Sequence, residues 1–181
     1  MPVDLGSLVS DFHGAVENLI AKCEAQGVEM RPSTAVRTAF DQARLWRQSR
    51  ASEEIAQKIA DFKSHSATFL AFCLESVGPQ HGDPVTNAPP GLSWHQWGEA
   101  LDCFWVVDGK AEWSTLKKVN GLNGYHVYAD AAETLGLTAG GHWTGFKDWP
   151  HVQLRKASSP AKVLSLQQID MAMRERFGQE G

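Results

Sequence analysis

The chain has 181 residues, of which 43% are hydrophobic and 21% are charged, and its net charge is −4. This length is enough for one domain with its own hydrophobic core, and the composition is that of an ordinary globular protein. The negative charge argues against nucleic acid or an anionic membrane surface as a partner, and no apolar run approaches the length that crosses a membrane. We therefore expect one domain over residues 1–181, without membrane insertion, and a monomer.

The three cysteines, Cys23, Cys73 and Cys103, lie far apart among apolar residues and form no CxxC pair. We interpret them as small buried hydrophobic residues rather than as a disulfide framework or a zinc-finger site. The N-terminus lacks the basic segment and apolar core of a secretory signal. The chain is therefore expected to be synthesised in the cytoplasm without a signal peptide.

The first half of the sequence has the periodicity of helices. The predicted helices cover residues 5–23, 39–49 and 52–77. The first is expected to end near Gly27, and the third to begin at a Ser52 cap and to break around residues 63–66, where polar residues gather. A loop rich in Pro and Gly follows over residues 78–91.

The second half alternates short strands with helices. Residues 100–107 are apolar and aromatic and precede Asp108-Gly109, which predicts a buried strand that enters a hairpin. Further on, we predict a helix over 125–135 capped by Gly136, a strand over 151–154 and a final helix over 162–177. The predicted fold is α+β, with N-terminal helices packed on a small antiparallel sheet that carries the functional site.

Two short segments contain potential metal ligands, namely Ser93-Trp-His95-Gln-Trp-Gly98-Glu-Ala100-Leu-Asp102 and Asp148-Trp-Pro150-His151. Two His and one Asp can bind zinc and leave the fourth position open, which is the arrangement of a hydrolytic site. Gly98 is suited to a turn that folds His95 back toward Asp102. A second carboxylate at Asp148 could then act as a base. On the residues alone, solvated loop side chains are the commoner interpretation of such His and Asp residues.

The pattern Ser93-x-His95-x-x-Gly98-x-Ala100-x-Asp102, followed by Asp148-x-x-His151, resembles the zinc peptidoglycan peptidases. That family includes D-alanyl-D-alanine carboxypeptidases and dipeptidases and the L-alanyl-D-glutamate endopeptidases of phage endolysins. The resemblance extends over about residues 30–155 through Arg37-Thr38 with Gln42 and Leu45, and through Val85-Thr86-Asn87-Ala88.

The resemblance implies that His95, Asp102 and His151 bind one Zn²⁺ per chain and that Asp148 is the catalytic base. It also implies that Arg37 stabilises the oxyanion or holds a substrate carboxylate, since a guanidinium is permanently charged and forms a rigid fork.

Three further residues are assigned substrate contacts. Ser93 is expected to contact substrate or to brace the metal loop, and Gln42 to contact substrate or to buttress Arg37. His142, which follows Gly140-Gly141, is expected to support the ligands or to contact substrate rather than to bind the metal.

The predicted function is hydrolysis of the peptide stem of bacterial peptidoglycan at the L-alanyl-D-glutamate bond. Asp148 favours this bond, because many carboxypeptidase and dipeptidase members of the family have Glu there. The alternative enzyme is a D-alanyl-D-alanine carboxypeptidase or dipeptidase, and the alternative of another class is a non-catalytic, zinc-stabilised cell-wall binding module. The segment over 52–77 resembles an insertion relative to shorter members, and we interpret it as extra scaffold.

The expected partner is the peptidoglycan stem peptide, which lies in the cell wall (periplasm). A protein made in the cytoplasm is expected to reach this substrate after release through a holin or a dedicated export route.

Overall fold

A computed structural model describes residues 3–179 of the chain. The helices are α1 (Ser10–Glu24), α2 (Ala39–Arg47), α3 (Ser52–Ser64), α4 (Thr68–Ser76), α5 (Gly124–Thr134) and α6 (Leu166–Phe177). The strands are β1 (Glu29–Thr34), β2 (Ala100–Val107), β3 (Lys110–Glu112), β4 (Thr138–Ala139) and β5 (His151–Gln153). The predicted α+β class is confirmed. Within residues 3–179, no helix is long and apolar enough to cross a membrane.

The chain divides into two compact units. The sheet unit combines the chain up to Val36 with Trp97–Lys156, and it contains all the strands named above together with α1 and α5. The helical unit combines Arg37–Gln96 with the chain from Ala157 onward, and it contains α2, α3, α4 and α6. The expectation of one domain over residues 1–181 stays a prediction.

β2 is the central strand of an antiparallel sheet with the order β1-β2-β5-β4, and β3 also pairs with β2. Burial alternates along β2, as expected for a strand with one face on a core. Leu101, Cys103 and Trp105 are buried, whereas Asp102 and Phe104 are partly exposed. The polar side chain of Asp102 therefore lies on the face of the sheet opposite the hydrophobic core.

The core of the sheet unit is formed by α1, α5 and the buried face of the sheet. α1 contributes Phe12, Val16 and Leu19, which recur at helical spacing and have no exposed surface. α5 contributes Tyr125 and Tyr128, which are also almost completely buried. These two helices are the ones that pack on the sheet and hold its strands in place.

The helical unit is organised around α4, whose side chains from Phe69 to Leu74 are mostly buried. The buried carboxylate of Asp170 on α6 accepts a hydrogen bond of 2.8 Å from the Leu70 backbone N–H, at the start of α4. Arg47 on α2 donates to the Leu74 carbonyl at the other end of the helix, at 2.6 Å. Both ends of α4 are therefore tied to neighbouring helices.

Several helices begin at side-chain caps that satisfy the first backbone N–H groups. Thr38 caps α2, Asn123 caps α5, and Ser165 forms a capping box with Gln168 at the start of α6. The final helix consequently begins four residues later than predicted. The C-cap of α5 is Leu135, one residue before the predicted cap, and Gly136 follows it with a φ of 76°, the left-handed conformation with which glycine often ends a helix.

The predicted helix over 52–77 is two helices, and its predicted break is confirmed between α3 and α4. Ser66 adopts a φ of 59° in the break. The predicted Ser52 cap is wrong, because Ser52 is the first helical residue and the N-cap is Ala51, which has no capping side chain. β1 and β4 were not predicted: β1 contains Pro32 and exposed polar residues, and β4 has only two residues.

The three cysteines are buried and free, as predicted. Burial raises the pKa of each of the Cys23, Cys73 and Cys103 thiols to about 12. Because the thiolate is the reactive form, we predict that a disulfide reagent such as Ellman's reagent does not modify the folded protein at pH 8. Three thiols per chain should react after unfolding in guanidinium. Rapid modification of any thiol in the folded protein would contradict the burial.

Candidate metal centre

The pairing of β2 with β5 brings two of the predicted ligands together. Asp102 and His151 are directly opposite each other in the antiparallel register, so their side chains leave the sheet on the same face. His151 Nδ1 lies 3.0 Å from Asp102 Oδ1, and about a tenth and a fifth of the two side chains, respectively, are exposed. Local strand geometry is therefore sufficient to place an imidazole and a carboxylate side by side.

The third predicted ligand, His95, is buried in a short 3-10 helix over Trp94–Trp97. The Ser93 hydroxyl accepts a hydrogen bond of 3.4 Å from the His95 N–H, and the Ser93 N–H donates to Gln96 Oε1 at 3.2 Å. Gly98 follows with a φ of 70°, a left-handed conformation that glycine adopts without strain, which confirms the predicted turn. Both hydrogen bonds are compatible with a brace for the metal loop, one of the two roles expected for Ser93, and its contact with substrate stays a prediction.

His95, Asp102 and His151 each offer one ligand atom, and these atoms all lie within 4.8 Å of one another. This spread is compatible with the coordination sphere of zinc, whose bonds to nitrogen and oxygen are about 2.0–2.2 Å long. The donor set of two imidazoles and one carboxylate fits zinc, and three protein ligands leave a fourth position for water or substrate. The structure thus groups the three residues that the sequence predicted as ligands.

The electrostatics around His151 favour a cation. Burial of the ring by itself lowers the pKa of His151, but the hydrogen bond and charge of Asp102, the charge of Asp148 and the hydrogen bond with Gln153 raise it above its usual value. Negative charge next to an imidazole stabilises positive charge at this place, whether a proton or a metal ion supplies it.

Asp148, the predicted base, lies in a tight turn just before β5. Its N–H donates to the Gly140 carbonyl, and its own carbonyl accepts from the His151 N–H, both at 3.1 Å. The side chain is half-buried, and its charge acts on His151. Asp148 is not a member of the ligand group found among the described residues, which is compatible with a role as a base.

Arg37 is held by a fully buried amide. Its Nη1 donates to Gln42 Oε1 at 3.0 Å, and the Gln42 amide donates to the Ala88 carbonyl at 2.6 Å. Gln42 Oε1 also accepts a bond of 3.0 Å from Gln96, the residue after His95. These contacts make Gln42 a buttress of Arg37, one of its two expected roles. A substrate contact of Gln42 stays a prediction.

The imidazole of His142 lies beside two carboxylates of α5. Its Nδ1 is 2.8 Å from Glu133 Oε1, and its Nε2 is 3.2 Å from Asp130 Oδ1. These contacts link the segment before Asp148 to the helix, and the substrate contact expected for His142 stays a prediction.

Sequence reasoning missed several side chains around the site. Gln153 Oε1 lies 3.1 Å from His151 Nε2, and the ring of His126 stacks on Trp149 with centroids 4.4 Å apart. The period of two in a strand could have placed Gln153 beside His151. No short-range pattern connects His126 to Trp149, because they are far apart in sequence.

The sequence was compared with those of known families and proteins. A profile of the family described as D-alanyl-D-alanine carboxypeptidase matches residues 86–154, which include the three ligands and Asp148. Over this segment the chain is similar to the peptidoglycan peptidases that the profile describes. Arg37 and Gln42 lie outside the matched segment, so their roles are not covered by it.

One relative is the peptidoglycan L-alanyl-D-glutamate endopeptidase CwlK of Bacillus subtilis. It is 36% identical to the chain over 76 residues, which are 40% of this chain and 46% of CwlK. The match therefore spans about half the length of this curated relative.

Two solved structures were also found. The L-Ala D-Glu endopeptidase ChiX of Serratia marcescens aligns with a TM-score of 0.42 at 18% identity, over 84% of this chain and 84% of ChiX. The vancomycin-resistance D,D-pentapeptidase VanY, in complex with Zn(II), aligns with a TM-score of 0.46 at 18% identity, over 90% of this chain and 83% of VanY.

The metal ligands can be tested by binding. We predict that His151→Ala lowers the affinity for zinc by more than about 100-fold, since even the loss of a residue that only supports a ligand costs about 10- to 100-fold. Competition with a chromophoric chelator measures this, and His81→Ala, at an exposed loop residue, is the matched control. Equal zinc affinities of the two variants would contradict the assignment of His151.

The turn that holds Asp148 can be tested through a glycine. A Cβ on Gly140 would lie 2.4 Å from the Asp148 carbonyl oxygen, whereas a Cβ on Gly14 of α1 would meet nothing within 4 Å. We predict that Gly140→Ala lowers the free energy of unfolding by about 1–3 kcal/mol. Gly14→Ala should raise it by about 0.5–1 kcal/mol, because alanine favours a helix. Denaturant unfolding measures both, and equal effects would contradict the close packing.

Proposed function

We propose that this protein is a zinc-dependent peptidase that hydrolyses the peptide stem of bacterial peptidoglycan, at the bond between L-alanine and D-glutamate. The observation that carries the proposal is the grouping of His95, Asp102 and His151 within 4.8 Å, with the carboxylate of Asp148 acting on His151. The identity to CwlK, an L-alanyl-D-glutamate endopeptidase, supports this choice of bond. Asp148 in place of Glu supports the same choice.

Asp148 supplies the acid–base chemistry in this proposal. A zinc ion held by the three ligands contributes Lewis acidity toward the scissile carbonyl and toward water. The Asp148 carboxylate removes a proton from the attacking water and delivers it to the leaving amine. The backbone bonds to Gly140 and His151 fix the turn that carries this carboxylate, so that its position is set before substrate arrives.

Arg37 supplies positive charge. Its guanidinium is anchored on Gln42, which is itself fixed by the Ala88 carbonyl and by Gln96. A guanidinium held in one orientation can form paired hydrogen bonds with a substrate carboxylate or stabilise a developing oxyanion. The stem offers such a carboxylate on its D-glutamate residue, which makes this contact compatible with the proposed bond.

The second candidate is a D-alanyl-D-alanine carboxypeptidase or dipeptidase that uses the same ligands and the same base. The description of the family that matches residues 86–154 favours it. The two candidates differ in the bond cleaved and not in the metal chemistry, so their products distinguish them.

The substrate determines where the protein acts in this proposal. Stem peptides lie in the cell wall, so the protein acts there, as a monomer, after release through a holin or an export system. The net charge of −4 argues against nucleic acid as the partner and is compatible with the peptidoglycan stem peptide.

The proposal predicts the products of digestion. Purified muropeptides of defined structure should be incubated with the zinc-loaded protein, with and without a chelator, and analysed by mass spectrometry. We expect zinc-dependent separation of the disaccharide with L-alanine from a peptide that begins with D-glutamate. Release of D-alanine alone would support the second candidate, and the absence of any cleavage by zinc-loaded protein would contradict both.

The base is tested in the same assay. Asp148→Asn should retain zinc and lose about 10²- to 10⁴-fold in kcat, the usual contribution of a general base. Asp83→Asn makes the same chemical change at an exposed loop residue and should retain full activity. Full activity of Asp148→Asn would show that another group removes the proton.

A further inference from the structure

The second ring nitrogen of His151 has a defined partner. Nδ1 lies 3.0 Å from Asp102 Oδ1, and Nε2 lies 3.1 Å from Gln153 Oε1. A neutral imidazole carries its proton on one nitrogen and an electron pair on the other. A partner that only accepts hydrogen bonds, such as an amide oxygen, keeps the proton on Nε2. The electron pair is then on Nδ1, the nitrogen beside the Asp102 carboxylate.

The orientation of the Gln153 amide is set by a further contact. Its Nε2 donates to the Arg155 carbonyl at 2.6 Å, so the nitrogen end of the amide points away from His151 and the oxygen end points toward it. An inverted amide would place two donors against His151 and an oxygen against the Arg155 carbonyl. The side chain is buried, with 1% of its surface exposed, so water cannot compensate for such an inversion.

Strand geometry explains how Gln153 reaches the ring. Gln153 is two residues after His151 in β5, so both side chains leave the same face of the sheet. The residue opposite Gln153 in β2 is Ala100, just as Asp102 is opposite His151. Ala100 and Gln153 therefore leave the same face, and the methyl group of Ala100 occupies less of that face than a larger side chain would.

The carbonyl that orients Gln153 belongs to a residue with its own anchor. Arg155 Nε and Nη2 donate to the two carboxylate oxygens of Glu99, at 2.5 and 2.8 Å. Glu99 is buried, and its carbonyl accepts from the Leu154 N–H at 2.9 Å. Paired hydrogen bonds between guanidinium and carboxylate restrict orientation as well as distance. The ion pair therefore fixes the backbone on which the Gln153 amide depends.

We infer that Gln153 is a positioning residue for the metal centre, which holds His151 with its proton on Nε2 and its Nδ1 toward the metal, and that the Glu99–Arg155 ion pair holds Gln153. This inference rests on the zinc site of the proposed function, but not on the bond that is cleaved. Gln153, Glu99 and Arg155 were not among the predicted site residues, and Glu99 occupies a position that the metal motif leaves unspecified.

The inference is tested by zinc binding rather than by activity alone. Gln153→Met keeps the approximate size of the side chain and removes the acceptor, so zinc affinity should fall by about 10- to 100-fold. Gln153→Glu restores an acceptor for Nε2–H but places its second oxygen against the Arg155 carbonyl, so it should recover only part of this loss. Arg155→Met should weaken zinc binding less than Gln153→Met does. Because the two residues act through the same ring, the double variant should bind zinc about as weakly as Gln153→Met alone.

Arg31→Met is the matched control, since the Arg31 side chain is about as exposed as that of Arg155 and also forms an ion pair in the sheet unit, with Glu29. It should bind zinc like the unmodified protein. Cobalt-substituted protein adds a second readout, because a change in ligand geometry at His151 alters the visible d–d spectrum. The spectrum should change in Gln153→Met and return toward the original in Gln153→Glu.

The inference would be overturned if Gln153→Met had the same zinc affinity and the same cobalt spectrum as the unmodified protein. Exposure of the buried thiols shows whether Gln153→Met fails to fold. In that case the zinc affinity of Arg155→Met is compared with that of Arg31→Met, and equal affinities of these two variants would overturn the inference. If the unmodified protein binds no zinc, the proposed function fails together with this inference. Zinc binding and peptide cleavage that persist in every variant would leave the proposed function intact and remove only the role of Gln153.

Discussion

The register between β2 and β5 is the constraint on which the metal centre depends. Leu101 and Val152 are opposite each other and fully buried, and the next opposed pair, Asp102 and His151, leaves the other face. Since side chains alternate along a strand, a slip of one residue would place polar side chains in the core and apolar ones at the site. The hydrophobic packing of α1 and α5 against the sheet thus fixes the geometry of two ligands that it never contacts.

Buried amides connect this framework to the charged groups. Gln42 in the helical unit accepts from Arg37 and from Gln96, and Gln153 in the sheet unit lies against His151. Each amide is also tied to a backbone carbonyl, which decides where its oxygen points. A buried amide whose hydrogen bonds are satisfied is rigid, and it leaves the charge of its neighbour available for chemistry. In this account, the neutral amides of Gln42 and Gln153 orient the side chains of Arg37 and His151, respectively.

Much of this arrangement is predictable from the sequence because its causes are local. The strand over β2, the break between α3 and α4, and the turn at Gly98 follow from apolar runs, polar clusters and glycine. The three ligands were predicted by their types and by resemblance to a family. Their grouping within 4.8 Å was not predictable from spacing alone, because it depends on which strand pairs with β2.

The features that could not be predicted from the sequence depend on contacts between residues that are far apart in the chain. β1 has no apolar run and is a strand because β2 offers its edge, so tertiary pairing outweighs local preference. The ion pair between Glu99 and Arg155 joins residues 56 positions apart, and neither has a local pattern that marks it. The predicted cap at Ser52 is wrong for a local reason. The residue three positions after Ser52 is Ile55 rather than the Glu or Gln of a capping box, and the helix begins one residue earlier than predicted, with Ala51 as its N-cap.

The most direct test of the account is the position of the metal itself. Anomalous X-ray scattering from crystals of the zinc-loaded protein, recorded above and below the zinc absorption edge, locates the ion without assumptions about ligands. The account predicts one zinc per chain, coordinated by His95, Asp102 and His151, with His151 bound through Nδ1 and its Nε2 against Gln153. A zinc ion on other residues, or no bound zinc in protein that cleaves muropeptides, would contradict it.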